Sequence, residues 1–102
     1  MTDIEKEVIT WHKETFPNAT THAILAKLDE ELDELQESDE LDNFIEEIAD
    51  VAIVAITFLN RQGTSLSEQI KYKLAINKSR NWGRELPNGD RVRVKTEKTR
   101  RF

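Results

Sequence analysis

Apolar residues recur at helical spacing from the start of the chain. The first positions of this pattern are Ile4, Val8, Trp11 and Phe16. Pro17-Asn18 then interrupts it, as expected at a helix end, because proline has no amide hydrogen to donate. We therefore predict a first helix over residues 3–15.

A leucine stripe predicts the second helix, from about Thr20-Thr21 to Glu37. Helical residues turn by about 100° each, which brings four leucines onto one face: Leu25, Leu28, Leu32 and Leu35. Thr20 or Thr21 can serve as N-cap. Glu31 and Glu34 lie on one flank of the stripe, so we expect them at the edge of the core rather than in bulk water.

The third predicted helix covers residues 40–61 and contains the most apolar segment of the chain. Only Ser38-Asp39 separates it from the second helix, which predicts antiparallel neighbours. Residues 51–59 are apolar on all sides of the helix, a pattern typical of complete burial. In so small a domain, complete burial of this segment nearly requires a second subunit.

A fourth helix is predicted after Gln62-Gly63. Ser65-Leu66-Ser67-Glu68 has the pattern of a capping box, and the helix should continue to about Asn81. Ile70 and Leu74 would then mark its core side.

Helical periodicity ends after Trp82-Gly83. Residues 87–90 read Pro-Asn-Gly-Asp, which is typical of a turn, and residues 91–95 alternate with period two. This segment should form either a short edge strand or an extended arm across a partner, and residues 96–102 should be mobile unless docked. We accordingly divide the chain into a helical domain, 1–82, and a basic C-terminal arm, 83–102.

Length and composition limit the class of protein. The 102 residues suffice for one core but not for two, and the absence of cysteine excludes disulfides and thiolate metal sites. No apolar run approaches the ~20 residues of a membrane span, and the N-terminus lacks a basic and apolar leader. We expect a cytoplasmic protein without a membrane segment.

The net charge of −5 is divided unevenly. Residues 1–82 carry 8 basic and 17 acidic side chains, a net charge of −9, whereas residues 83–102 carry 7 and 3, a net charge of +4. The acidic body argues against nucleic acid as a partner, because that binding depends on cations that neutralise phosphates. The basic tail better suits a neighbouring subunit or a phosphorylated ligand.

Acidic residues are concentrated in the middle of the chain. Twelve lie from Asp29 to Asp50, and no Lys or Arg occurs between Lys27 and Arg61. Like charges one helical turn apart repel, so a bound divalent cation is the simplest compensation. Oxygen ligands from two antiparallel helices suit Mg²⁺, and the candidates are Glu31, Glu34, Glu47 and Asp50. An ordinary solvated helix face is the alternative, and spacing alone leaves both open.

Two further groups of residues are candidates for ligand binding. Lys73, Asn77 and Arg80 share one face of the fourth helix and could clamp phosphate, or else pair with the acids of the second and third helices. Trp11 could stack on a nucleobase together with Phe16, although such aromatic residues often belong to a core.

The two histidines, His12 and His22, have no partner at ligand spacing. We expect both to be surface residues.

Three short motifs occur in a fixed order along residues 20–82. They are Lys27–Leu35, which contains the pattern EExxE, Glu46–Val51, which contains ExxD, and Lys73–Arg80. Together they resemble the MazG-like nucleoside triphosphate pyrophosphohydrolases. The resemblance implies an all-α fold with a four-helix core and a C-terminal extended arm, assembled as a homodimer or homotetramer. It also implies cleavage of nucleoside triphosphates to monophosphate and pyrophosphate with Mg²⁺, or alternatively Mn²⁺.

The resemblance also implies roles for individual residues. The metal ligands would be Glu31, Glu34, Glu47 and Asp50, and the phosphate contacts would be Lys73, Asn77 and Arg80. Glu34 or Glu47 would orient the attacking water, which makes both candidate catalytic residues, and Glu30 matches the first acid of EExxE without a defined role. The tail from Arg84 is similar to a branch found in phage-type genomes, for which (deoxy)purine triphosphates are suggested.

Two other functions are compatible with the sequence. One is a non-catalytic helical module whose basic tail binds a protein or nucleic acid. The other is a dUTPase-like enzyme of the same superfamily. Release of pyrophosphate from a panel of triphosphates would separate all three.

Overall fold

The computed structural model of the chain describes residues 1–94, which form four helices followed by a β-hairpin. The elements are α1 (Asp3–Thr15), α2 (Thr21–Glu37), α3 (Leu41–Arg61), α4 (Leu66–Ser79), β1 (Asn81–Glu85) and β2 (Arg91–Val94). The all-α class and the four predicted helices are confirmed. The predicted mobility of residues 96–102 lies outside the described residues.

Side-chain caps stabilise the starts of α2 and α4, whereas α3 begins at Leu41 without one. Thr20 Oγ1 accepts a hydrogen bond from the Ala23 amide at 3.1 Å at the start of α2, as predicted. At the start of α4, Ser65 Oγ accepts a hydrogen bond from the Glu68 amide at 3.2 Å, which is one of the two hydrogen bonds of the predicted capping box. The Glu68 carboxylate instead accepts from Thr64 Oγ1 at 3.5 Å.

Glu5 connects the starts of α1 and α4. Its Oε1 accepts hydrogen bonds from the amide and hydroxyl of Thr2, both at 2.8 Å, and its Oε2 accepts from the Ser67 amide at 3.0 Å. The bonds from Thr2, followed by those from Ser67, lower the pKa of Glu5 from 4.5 to about 2, although burial opposes this shift. Sequence spacing alone did not indicate this link between residues 62 positions apart.

The chain divides into two compact units, Met1–Ile70 and the segment from Lys71 onward. In the first unit, α3 packs against both α2 and α1. The buried side chains at this centre are Ile24, Val54, Ile56 and Thr57. Within residues 1–94, no helix is long and apolar enough to cross a membrane.

The buried face of α2 differs from the predicted leucine stripe. Leu25 and Leu32 are exposed, whereas Ile24 is buried and Glu31 is only 6% exposed. Leu28 and Leu35 are half-buried, so the core-facing stripe keeps two of the four predicted leucines and adds Ile24 and the carboxylate of Glu31. Glu34, expected at the core edge, is exposed. Periodicity identifies a helix, but packing against α3 decides which side chains near its apolar face are buried.

In the single chain, burial of residues 51–59 is partial, and the predicted burial of Ile70 and Leu74 is absent. In the segment 51–59, Val54, Ile56 and Thr57 are buried and the other residues are half-buried. Ile70 and Leu74, expected on the core side of α4, are both exposed. Coverage of these surfaces by a second subunit stays a prediction.

The segment after α4 forms an antiparallel hairpin. Asn81 pairs with Val94, Trp82 with Arg93, and Glu85 with Arg91, with an irregularity between Trp82 and Glu85. The predicted turn and the strand alternative for residues 91–94 are confirmed. Strand β1 was not predicted, because Asn81–Glu85 has no apolar alternation. The helix α4 ends at Ser79 rather than at the predicted Asn81.

Close packing of the two strands requires a glycine in β1. A Cβ atom at Gly83 would lie 3.0 Å from the carbonyl oxygen of Val92. The turn residue Gly89 has a φ of +88°, a backbone conformation that glycine adopts without the steric strain a Cβ atom would cause.

Candidate active site

Three carboxylates converge between α2 and α3. Glu31 and Glu34 project from one side of α2 because they are three positions apart, and Glu47 lies opposite them on α3. One carboxylate oxygen from each lies within 4.8 Å of the others. We refer to these three residues as the acidic triad.

The acidic triad contains carboxylate oxygens that lack a hydrogen-bond partner. Oε2 of Glu31 and Oε2 of Glu47 are buried and accept no hydrogen bond within residues 1–94. Burial raises the pKa of Glu47, and the neighbouring charges of Glu34 and Asp50 raise it further. A buried carboxylate oxygen that accepts no hydrogen bond destabilises the fold. Oxygen ligands of this kind fit a hard divalent cation, which would compensate for the missing hydrogen bonds.

Asp50, the fourth predicted ligand, lies beside the acidic triad without belonging to the group within 4.8 Å. Its charge contributes to the raised pKa of Glu47, and it lines the adjacent pocket together with Glu31.

Lys27 forms an ion pair with the acidic triad. Its Nζ lies 3.2 Å from Glu30 Oε1 and 3.5 Å from Glu31 Oε1. The hydrogen bond to Glu30 raises the pKa of Lys27, as do the charges of both glutamates. The sequence analysis did not identify these ion pairs, although Glu30 and Glu31 stand three and four positions after Lys27, a spacing that favours ion pairs on a helix.

A pocket of about 360 Å³ adjoins the acidic triad within the first unit. Its charged end includes Lys27, Glu31 and Asp50. The rest of its lining is mainly aromatic and aliphatic: Trp11, His12, Phe16, Ala19, Ala23, Ile24, Ile53, Val54 and Thr57. Such a pocket can accept a molecule with one apolar, planar part and one strongly charged part.

Aromatic residues form the apolar end of this pocket. Trp11 and Phe16 pack edge to face, with ring centroids 5.8 Å apart and an interplanar angle of 86°. Trp11 remains 51% exposed, so it is not the core residue that the alternative interpretation proposed. An exposed indole face beside a pocket is suited to stacking.

The prediction that His12 is an ordinary surface residue was wrong. It is half-buried and lines the pocket, with its ring centroid 5.2 Å from that of Phe16. Burial lowers the pKa of His12, and the charge of Arg61 lowers it further. His22 is exposed, as predicted.

Of the predicted phosphate-contacting residues, Lys73 and Asn77 lie on the part of α4 that belongs to the second unit, whereas Arg80 follows Ser79, the last residue of the helix. Arg80 Nη1 donates a hydrogen bond to Asn77 Oδ1 at 3.1 Å. Trp82 Nε1 donates to the Asn77 carbonyl at 2.8 Å, which connects β1 to the end of α4. Lys73 is exposed.

Comparison with known proteins relates this geometry to a family. The model of the dATP/dGTP pyrophosphohydrolase family matches residues 4–99. The chain belongs to this family. The MazG-like resemblance is thereby confirmed, and the pyrophosphohydrolase is an enzyme that acts on nucleotides, which argues against a non-catalytic module.

The pyrophosphohydrolase also resembles a solved structure from a phage. A MazG-like pyrophosphohydrolase of cyanophage S-2L, bound to dGDP and three catalytic Mn²⁺ ions per active site, is 32% identical in sequence and superimposes with a TM-score of 0.70. The match covers 91% of this chain and 95% of that chain. A comparison with curated proteins finds no match.

Proposed function

We propose that this pyrophosphohydrolase converts dATP and dGTP to the monophosphates and pyrophosphate with Mg²⁺ or Mn²⁺. The observation that carries the proposal is the acidic triad at the charged end of an aromatic pocket, with two buried oxygens that accept no hydrogen bond from any group in residues 1–94. The purine preference is supported by the family match and by the dGDP bound to the cyanophage relative.

The metal would be held by the acidic triad, with Asp50 as an additional ligand. Oxygen donors of this kind suit Mg²⁺ and Mn²⁺. When bound, such a metal neutralises triphosphate charge and lowers the pKa of coordinated water. Glu34 or Glu47 would orient the water that attacks the α-phosphorus, since both belong to the acidic triad.

The remaining residues would bind and orient the substrate. Trp11 would stack on the base at the aromatic end of the pocket. Lys73, Asn77 and Arg80, which match the family's phosphate-contacting motif, would stabilise the charge that develops on the pyrophosphate leaving group.

We also propose that the enzyme functions as a homodimer or homotetramer. Apolar residues of α3 support this proposal, because Phe44, Ile45 and Ile48 are exposed in the single chain. Light scattering of the full chain and of a variant truncated after Trp82 would measure the assembly and any contribution of the basic arm.

A triphosphate panel tests the proposed reaction. Purified enzyme with Mg²⁺ or Mn²⁺ should release pyrophosphate and monophosphate from dATP and dGTP faster than from dCTP, dTTP or dUTP. Glu47→Gln is the matched inactive control. Preferential hydrolysis of dUTP would instead support the dUTPase-like alternative, and absence of pyrophosphate release would refute the proposal.

A further inference from the structure

His12 is a polar side chain at the aromatic end of the pocket, and its imidazole nitrogens have no hydrogen-bond partner within residues 1–94. Thr57 Oγ1 already donates to the Val54 carbonyl at 2.8 Å, and Lys27 is paired with two glutamates. His12 is half-buried at the pocket wall, and its imidazole makes no hydrogen bond within residues 1–94.

The surroundings of His12 favour a neutral imidazole. Its ring packs against Phe16 at a centroid distance of 5.2 Å and lies 6.5 Å from the ring of Trp11. Burial and the charge of Arg61 both lower its pKa. A neutral imidazole offers one N–H donor and one acceptor, a combination that can contact the edge of a base stacked nearby.

We propose that His12 is a specificity-determining residue that donates a hydrogen bond to N7 of the purine base. The inference rests on the proposed function above. N7 is an acceptor in both adenine and guanine, whereas the groups at position 6 differ, an amino donor in one and a carbonyl acceptor in the other. A single donor directed at N7 therefore recognises dATP and dGTP alike.

Analogues that lack N7 test this contact directly. In 7-deaza-dATP and 7-deaza-dGTP a C–H group replaces N7, so the wild-type enzyme should lose about threefold to tenfold in kcat/KM relative to the parent substrates. His12→Phe should lower kcat/KM for the parents to the level of the analogues and remove the discrimination. His12→Gln, which keeps an N–H donor, should retain part of it.

His22→Phe is the matched control, because His22 is an exposed histidine outside the pocket lining. This variant should discriminate between parent and analogue as the wild type does. A merely structural role of His12 would reduce activity on parents and analogues equally, and that result would overturn the proposal. If His12→Phe does not fold, the wild-type comparison and His12→Gln decide the question.

Binding measurements separate this inference from the proposed function. Calorimetry with dGDP and 7-deaza-dGDP measures the N7 contact without turnover. If the wild type releases no pyrophosphate but still prefers dGDP over its analogue, the proposed reaction is wrong and the contact stands. If it hydrolyses both purine triphosphates and their analogues equally well, the reaction stands and the contact is refuted.

Discussion

Divalent metal should stabilise the folded protein through the acidic triad. The three carboxylates carry a formal charge of −3, and Lys27 adds one positive charge beside them, which leaves −2 for a single divalent cation to neutralise. A metal at one hundred times its dissociation constant stabilises the native state by about 2.7 kcal/mol. For a domain of this size, that corresponds to an increase in Tm of roughly 10–20 °C.

Glu47→Gln should uncouple metal from stability. The substitution removes one negative charge and one metal ligand, so the metal-free variant should melt at or above the Tm of the metal-free wild type. Added Mn²⁺ or Mg²⁺ should then raise Tm by only a small fraction of the wild-type shift. Turnover should fall by at least about 100-fold, while the helical signal in circular dichroism is unchanged.

Differential scanning calorimetry with EDTA, Mg²⁺ or Mn²⁺ measures these shifts. Glu37→Gln is the matched control, because it makes the same chemical change at an exposed position of α2 outside the acidic triad. Its metal-induced shift should equal that of the wild type. An unchanged wild-type Tm on chelation, or a full metal response in Glu47→Gln, would refute a shared cation site.

Three other predictions follow from the packing and the pKa values. Glu5→Gln should lower the free energy of unfolding at pH 7. Because the pKa of Glu5 is lowered to about 2, the ionised carboxylate stabilises the fold above pH 4.5, and this stabilisation is lost as the pH falls toward 2. Denaturation curves of the variant and the wild type should therefore converge near pH 2. Trp11→Ala should raise KM for purine triphosphates roughly tenfold to hundredfold, as expected for a lost stacking contact of about 1–3 kcal/mol, and equal KM values would contradict stacking. Ile56→Ala should destabilise the fold by about 2–5 kcal/mol in urea titrations, because Ile56 is buried outside the pocket, and a change below 1 kcal/mol would show that the site collapses around the smaller side chain.

The sequence alone determined the helices and the acidic residues that face each other. Helix boundaries depend on neighbouring residues, through periodicity, the Thr20 and Ser65 caps and the break at Pro17. The i, i+3 spacing of Glu31 and Glu34 is equally local, and the short connection after α2 predicts a neighbouring α3 that carries Glu47. The acidic triad was therefore predictable before its geometry was known.

The tertiary structure decided which side chains are buried and what surrounds the site. Packing of α3 against α2 buried Glu31 instead of Leu32, and packing of α1 brought His12 to the wall of the pocket. Strand β1 exists because β2 pairs with it, not because its own residues alternate. These features depend on contacts between residues far apart in the chain, and local periodicity carries no information about such contacts.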